Sequence, residues 1–256
     1  LGIEQSVAIM IDNVYFPQGR VINEGLYDTS QIAILKGPQA LYFGKNATAG
    51  AVTITTNDPG DEFEIIASVS HEFEYKTDTF EFVVSGPISE NWGARLALYD
   101  STMDEGWIQN IAGDTTYTTL DFSNGFAATS HENPAPTQKF YPADEKTYGR
   151  LTLKGDIGDR TTLKFKASFA DVTMAAATVA ELFDCYLGDV PHNNAGNVAT
   201  PVPSAGECKK DRRTGLNNIP TVPAAAYELT GQFGGALGET YESKVFTTSL
   251  THDFDN

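Results

Sequence analysis

Beyond about residue 60, apolar and polar positions alternate with a period of two in segment after segment. Phe63, Ile65, Ala67, Val69, His71 and Phe73 alternate with Glu62, Glu64, Ile66, Ser68, Ser70 and Glu72. Successive side chains of a strand point to opposite sides, so this run predicts a strand with one apolar and one largely acidic face. Phe80, Phe82 and Val84, set against Thr79, Glu81, Val83 and Ser85, predict a second. A third is expected near 92–103, with Leu96 and Leu98 opposite Arg95, Ala97 and Tyr99, and a fourth near 146–155, with Leu151 and Leu153 opposite Arg150, Thr152 and Lys154. The fifth has the sharpest pattern: Leu163, Phe165, Ala167 and Phe169 on one side, Thr162, Lys164, Lys166 and Ser168 on the other. A sixth, near 242–254, sets Phe246, Leu250 and Phe254 against Val245, Thr247, Ser249 and Thr251.

The connections have their own rhythm. PISEN (87–91), DIGDR (156–160) and the terminal DFDN read as tight turns at alternate junctions, while 104–145 and 172–241 read as long loops at the others. Within the second loop, MAAATVAELF (174–183) predicts a short surface helix. Cys185 and Cys208 lie in the same loop, with no CxxC and no His pair at metal spacing. A loop disulfide is the favoured assignment and implies an oxidising compartment; two unpaired thiols are the alternative.

The first 60 residues follow a different pattern, that of a compact α+β unit. VAIMID (7–12), QIAIL (31–35) and AVTITT (51–56) fit short buried strands, and Pro38 and Gly44 fit the first turn and the end of a short helix between the last two. The segment KGPQALYFGKN is not a phosphate-cradling loop. Six residues separate Gly37 from Gly44 where that loop needs four, and Asn46 stands where a Ser or Thr must follow the Lys.

Composition narrows the function classes. With 41% hydrophobic and 20% charged residues, the 256-residue chain can bury a core. Acidic residues outnumber basic ones 34 to 17, for a net charge of −17, which excludes a nucleic-acid backbone as partner. No run approaches the roughly 18 consecutive apolar residues of a transmembrane helix, but barrel strands need none. His71, His131, His192 and His252 are isolated in sequence, and neither G-x-S-x-G nor H-E-x-x-H occurs, so no catalytic residue, metal site or cofactor is expected. The acidic pairs Asp104–Glu105 and Asp144–Glu145 read as solvated loop surface, with a Ca²⁺ site or paired carboxylates as the alternative, and His71 and His252 as interfacial residues. Trp92, Trp107, Tyr99, Tyr141 and Tyr148 are candidates for aromatic belts at bilayer rims.

IDNVYFPQGR (11–20) followed by DTSQIAILKGPQALYFGKNATAGAVTITTNDP (28–59) resembles the C-terminal half of the plug domain of TonB-dependent outer-membrane receptors. The pattern is carried by Asp12, Asp28, Lys36, Gly37, Pro38, Gln39, Leu41, Tyr42, Gly44, Asn46, Ala47, Gly50, Ile54, Thr56 and Pro59. It departs at Ala33, where Glu is usual, and at Ala49, where the first of two glycines often stands. The resemblance implies an antiparallel membrane β-barrel of about 22 strands with an α+β plug inside it. Residues 1–60 would then be the second half of the plug, with its signature residues in structural or gating roles. Residues 61–256 would be the first six or so strands with their extracellular loops, so that the chain is incomplete.

The implied function is active transport across the outer membrane of a Gram-negative bacterium. A scarce nutrient, small or oligomeric, is bound by loops and plug and imported into the periplasm. A TonB-type inner-membrane energy-coupling complex would be the partner, and outer-membrane lipid and lipopolysaccharide the surroundings. Ferric siderophore, oligosaccharide, cobalamin and plant-derived aromatic ligands stay open. Residues 104–145 hold seven acids and one Lys, which disfavours a strongly anionic ligand there. Two other classes compete: a soluble secreted β-sandwich for binding or adhesion, which would bury the apolar face against a second sheet, and a passive porin without a plug. The barrel reading expects Phe165→Arg to cost roughly 2–4 kcal/mol and Lys164→Gln to be nearly neutral.

Overall fold

Two sheets organise the computed structural model, which describes residues 6–17, 19–44, 46–111, 113–133, 135, 139–175, 183–184, 192–193, 200–201, 213–214 and 238–254. The N-terminal unit contains β1 (Val7–Ile11), β2 (Val14–Phe16), α1 (Ile22–Leu26), β3 (Thr29–Lys36), α2 (Ala40–Phe43) and β4 (Gly50–Thr56). Its strands form a sheet in the order β2-β1-β4-β3, antiparallel except where β1 runs parallel to β4. Asp12 and Asn13, with φ of 48° and 66°, make the two-residue turn between β1 and β2. Both central residues are left-handed, as a type I′ hairpin requires, and Asp and Asn tolerate that conformation. Ala8, Ala47 and Ala51 form a small core under Tyr15, Leu35 and Phe43.

The second sheet has six strands in the order β18-β13-β12-β7-β6-β5, every neighbouring pair antiparallel. Along the chain come β5 (Glu64–Glu72), β6 (Thr77–Ser89) and β7 (Trp92–Met103), which matches the predicted 92–103. The first long connection then supplies β8 (Ile108–Asn110), β9 (Thr115–Asp121), β10 (Ala127–Asn133) and β11 (Phe140–Tyr141). After it run β12 (Ala143–Ile157) and β13 (Thr161–Ala175). The second connection contributes the two-residue pieces β14 (Phe183–Asp184), β15 (His192–Asn193), β16 (Thr200–Pro201) and β17 (Arg213–Thr214), and β18 (Gly238–His252) completes the sheet. Tight turns after β6 and β12 lie at one end. The two long connections lie at the other, beside the short turn after β5, which sequence patterning did not single out.

Several boundaries move. The region predicted as the loop 104–145 is partly strand, and β12 begins at Ala143. β13 extends to Ala175, so Met174 and Ala175, expected to open a helix, are strand residues; the backbone ladder to β12 continues past the end of the apolar alternation. The rest of that expected helix up to 182, and the Cys185–Cys208 pair, lie outside the described residues.

The two faces of the large sheet have inverted burial. Ser85, Arg95, Ser101, Arg150, Thr152 and Lys166 are buried on the face toward the N-terminal unit, whereas Ile65, Val69, Phe80, Leu151, Phe169, Phe246 and Leu250 are exposed on the other. Between the two sheets lies a second core of Tyr27, Ala97, Tyr148 and Ala170, flanked by Val83, Tyr99, Val172 and Tyr241.

Candidate functional site

The contact between the N-terminal unit and the large sheet concentrates the buried charge. Asp28, at φ 52°, joins α1 to β3 and directs its carboxylate at Arg95 of β7. Arg95 donates from Nε at 3.0 Å and from Nη2 at 2.6 Å to Asp28 Oδ1, and from Nη1 at 2.6 Å to Glu64 of β5. The Asp28 and Arg95 side chains are 3% and 8% exposed, so little water screens the pair. Asn57 completes the cluster, donating from its side chain to Asp28 Oδ1 at 2.9 Å and from its backbone to the Asp28 carbonyl at 3.0 Å.

Asp12 makes the second anchor. Thr56 donates to it from the backbone at 3.0 Å and from its hydroxyl at 2.7 Å, and Lys166 of β13 donates at 3.1 Å. Burial by itself would raise the Asp12 pKa, but the Thr56 hydrogen bonds and the Lys166 charge outweigh it and hold the group below the usual carboxylate value. Asp58, on the connection leading into β5, is the third. Lys164 Nζ lies 2.5 Å from its Oδ2, Lys154 3.6 Å from the same oxygen, and Lys166 3.5 Å from Oδ1. Burial again opposes ionisation, and the hydrogen bond and charge of Lys164, with the charges of Lys166 and Lys154, lower the pKa.

Toward the opposite end, Tyr27 stacks on Tyr148 at 5.3 Å and sits 6.4 Å from Tyr99. The Arg150 guanidinium lies 4.3 Å over the Tyr27 ring and donates to the carbonyls of Glu24 at 2.8 Å and Tyr27 at 3.2 Å. Tyr241 of β18 donates to the Glu24 carboxylate. Burial pushes the Tyr27 phenol well above its ordinary pKa, with the Arg150 charge only partly opposing it, and its hydroxyl has no hydrogen-bond partner among the described residues.

The sequence-predicted signature residues therefore divide. Asp12 and Asp28 reach the large sheet. Lys36, Gly37, Pro38, Gln39, Tyr42, Gly44, Asn46 and Gly50 shape the segment between β3 and β4. Gly37 (φ 84°) donates to the Ala49 carbonyl at 3.1 Å, Gln39 to that of Ala47 at 2.8 Å, and the Asn46 amide to the Tyr15 hydroxyl at 2.7 Å. Gly44 (φ 77°) closes α2 on the Ala40 carbonyl. Gly50 pairs with Lys36 where a Cβ would stand 2.5 Å from the Leu35 carbonyl oxygen. Tyr42 is 86% exposed.

Sequence reasoning missed Glu24, Tyr27 and Asp58. One signal was available: Lys154 and Lys164 are directly opposed on β12 and β13, and like charges facing each other across a ladder require a counter-charge from elsewhere. Other expectations need correcting. Tyr99 and Tyr148 are not belt residues; they share the inward parity of Arg95 and Arg150 and pack on Tyr27. Tyr141 is 1% exposed, its hydroxyl accepting from Asn110 at 3.3 Å. Asp144 is a buried residue of β12, ion-paired with Lys146 at 2.5 Å, and Glu105 pairs with Lys76, so neither acidic pair is simply solvated. Lys164 is engaged by Asp58, which corrects the expected neutrality of Lys164→Gln.

No family model matches the chain. Its fold matches solved structures over nearly its whole length. A chain of the FpvAI–pyocin S2 complex aligns over 97% of this chain with a TM-score of 0.59 at 13% identity. A mutant ferric enterobactin receptor, PfeA of Pseudomonas aeruginosa, aligns over 98% with a TM-score of 0.51 at 14% identity. The chain spans 25% and 31% of those two chains, respectively. In fold, then, the chain is similar to TonB-dependent outer-membrane receptors.

Proposed function

We propose that the chain is part of a TonB-dependent transporter in the outer membrane of a Gram-negative bacterium, with residues 1–60 acting as the second half of a plug and 61–256 as the first strands and outer loops of its barrel. The inverted burial of the large sheet carries this reading: charged residues are packed beneath the N-terminal unit, and phenylalanine, leucine and valine are open on the opposite face. A water-soluble sandwich would place these the other way round. The outward side chains of β13 from Leu163 to Phe169 are all apolar, and Asp171 follows beyond them, as expected where a hydrocarbon layer ends. The tight turns after β6 and β12 would face the periplasm and the long connections the exterior.

In this reading the Asp28–Arg95, Asp12–Lys166 and Asp58–Lys164 contacts hold the plug against the wall. Withdrawal without water would strand buried charges at several kcal/mol each; withdrawal that admits water re-solvates them, and each charged hydrogen bond then costs only about 1.5–3 kcal/mol. Opening by force from a TonB-type complex, with water following, is the inexpensive route. The cargo, a scarce nutrient such as a ferric siderophore, binds at the outer loops and plug; no chemical step is required of the protein. The test is single-channel conductance and energy-dependent uptake by the full-length protein, with and without residues 1–60. Wild type should be closed and transport only when energised, and the truncated form should conduct constitutively. Recovery of the intact protein in the soluble fraction would overturn the reading.

A further inference from the structure

All the buried or half-buried cations of the large sheet that meet the N-terminal unit lie on its three adjacent strands β7, β12 and β13: Arg95, Arg150, Lys154, Lys164 and Lys166. Arg95 is matched by Asp28 and Glu64 and Arg150 by backbone carbonyls, but the lysines are not matched one to one. Lys154 and Lys164 are Cα partners, and Thr152, two residues before Lys154 on the same face, is the partner of Lys166. Three ammonium groups thus crowd one patch, against the rule that like charges are kept apart across a ladder. Asp156 points to the same side but already accepts from the Thr162 hydroxyl at 2.7 Å. Lys166 is already answered by Asp12 at 3.1 Å and by the Thr56 hydroxyl at 2.6 Å and carbonyl at 3.4 Å, so it contributes its charge to the patch more than a free N–H.

Among the described residues the remaining counter-charge is Asp58, whose single carboxylate lies within 3.6 Å of all three lysines. That carboxylate comes from the non-strand connection between β4 and β5, not from the sheet itself. Its Oδ1 is buried and accepts no hydrogen bond among the described residues, having only the 3.5 Å charge contact to Lys166. Three positive charges therefore surround one carboxylate, which accepts a hydrogen bond from Lys164 at Oδ2 and meets Lys154 and Lys166 by charge alone. Half-open clefts adjoin the cluster: one of about 470 Å³, bordered by β18, reaches Lys164 and Lys166, and one of about 280 Å³ reaches Lys154.

From this arrangement we infer that Lys154, Lys164 and Lys166 form an anion-binding site on the sheet, for which the Asp58 carboxylate is the built-in occupant. A multiply charged oxyanion bearing phosphate, carboxylate or sulfonate oxygens replaces it when the connection carrying Asp58 moves aside. The site stands on its own geometry. Only the further step, that such an anion is a passing cargo and that the wall beneath the acidic outer loop selects for negative charge, rests on the transporter reading.

Inorganic pyrophosphate, titrated calorimetrically into the detergent-solubilised full-length protein at fixed low ionic strength, tests the site. Asp58→Asn, and Asp58→Ser as a second variant of different size, vacate the position without adding charge. Each should bind pyrophosphate at least roughly tenfold more tightly than wild type, since an anion at about 4 Å from the pocket has been removed. Adding Lys164→Gln should abolish the gain, whereas Lys244→Gln, a charge change at an outward and exposed position, should leave it intact. Equal affinity in wild type and both Asp58 variants, or a gain that survives Lys164→Gln, overturns the site. Vacated-site binding alongside constitutive conductance by the wild type would sink the transporter reading and spare the site. Energised uptake without any such binding would do the reverse.

Discussion

The two faces of β13 are made by one strand, yet they obey opposite rules. Lys164, Lys166, Ser168 and Ala170 face the N-terminal unit, where Lys166 and Ala170 are buried; Phe165 and Phe169 face away, with Phe169 exposed. In a water-soluble sheet the faces would exchange roles, because leaving phenylalanine open and burying lysine both cost free energy. Polarity follows the neighbour: the inner face answers to the carboxylates of Asp12 and Asp58, and the outer face, in the proposed transporter, to hydrocarbon.

The inner face is broken most severely at Arg95. Arg95→Ala leaves Asp28 buried with Asn57 as its side-chain partner among the described residues, and should destabilise the full-length protein by about 3–5 kcal/mol. Arg95→Ala with Asp28→Ala together should cost clearly less than the sum, since the buried Asp28 charge is then gone and the Glu64 carboxylate, also released, is half-exposed and solvated. Urea unfolding in lipid vesicles, with the four proteins compared as a double-mutant cycle, gives the coupling. Additive losses would mean that the two residues do not act as a pair.

The outer face is tested by Phe165→Arg. Near the middle of a bilayer this should cost roughly 2–4 kcal/mol, whereas the same change at outward Thr173, four residues beyond Phe169 and past Asp171, should cost no more than about 1 kcal/mol. Such a depth-dependent gradient, read from the same vesicle unfolding, is the signature of hydrocarbon; a uniform cost along the strand would contradict it.

A second contrast separates the edge of the N-terminal unit that meets the sheet from the segment between β3 and β4. The edge acts through charge, and the segment through backbone geometry. Gly50→Ala should therefore destabilise by about 1–3 kcal/mol, because its Cβ would collide with the Leu35 carbonyl oxygen, a backbone atom that cannot rotate away. Gly37→Ala meets no steric neighbour and carries only the penalty of its positive φ, about 1 kcal/mol. Amide hydrogen exchange on β3 and β4 resolves the two: Gly50→Ala should loosen both strands, Gly37→Ala only the turn.

How far the sequence was legible follows from the same contrast. β7 could be delimited at both ends because Leu96 and Leu98 alternate with Arg95, Ala97 and Tyr99 between clear turn signals. β12, β13 and β18 run longer than expected at the loop end, where Glu145, Asp171, Thr173 and Glu242 make the outward face polar. There the backbone ladder continues although the alternation of hydrophobicity has faded. Tyr99 and Tyr148 are of a residue type common at bilayer rims, but strand parity turns both inward, on the side of Arg95 and Arg150. Asp58 stayed hidden for a different reason: it meets Lys164 across 106 positions, and an ion pair between distant segments leaves no local pattern. Only the unpaired lysines on facing strands hinted that a carboxylate had to arrive from elsewhere.

The smallest effect, and the most specific to the inner face, is the response to acid. Asp12 and Asp58 both have folded-state pKa values below the unfolded value near 3.9, so ionisation favours the folded form. Their contribution is complete above that unfolded value and is lost as pH falls through the folded ones. Stability should therefore change little between about pH 7 and 5 on their account, and drop below about pH 4. Asp12→Asn keeps a side chain that tolerates the left-handed turn and can still accept from Thr56, but it removes the titrating charge opposite Lys166. It should lower stability at neutral pH and make the acid limb shallower, so that the mutant and wild-type curves converge toward pH 2. Parallel curves across that range would show that the Asp12 carboxylate does not feel Lys166. The charged part of the contact between the N-terminal unit and the sheet would then rest on Asp28–Arg95 and Asp58–Lys164.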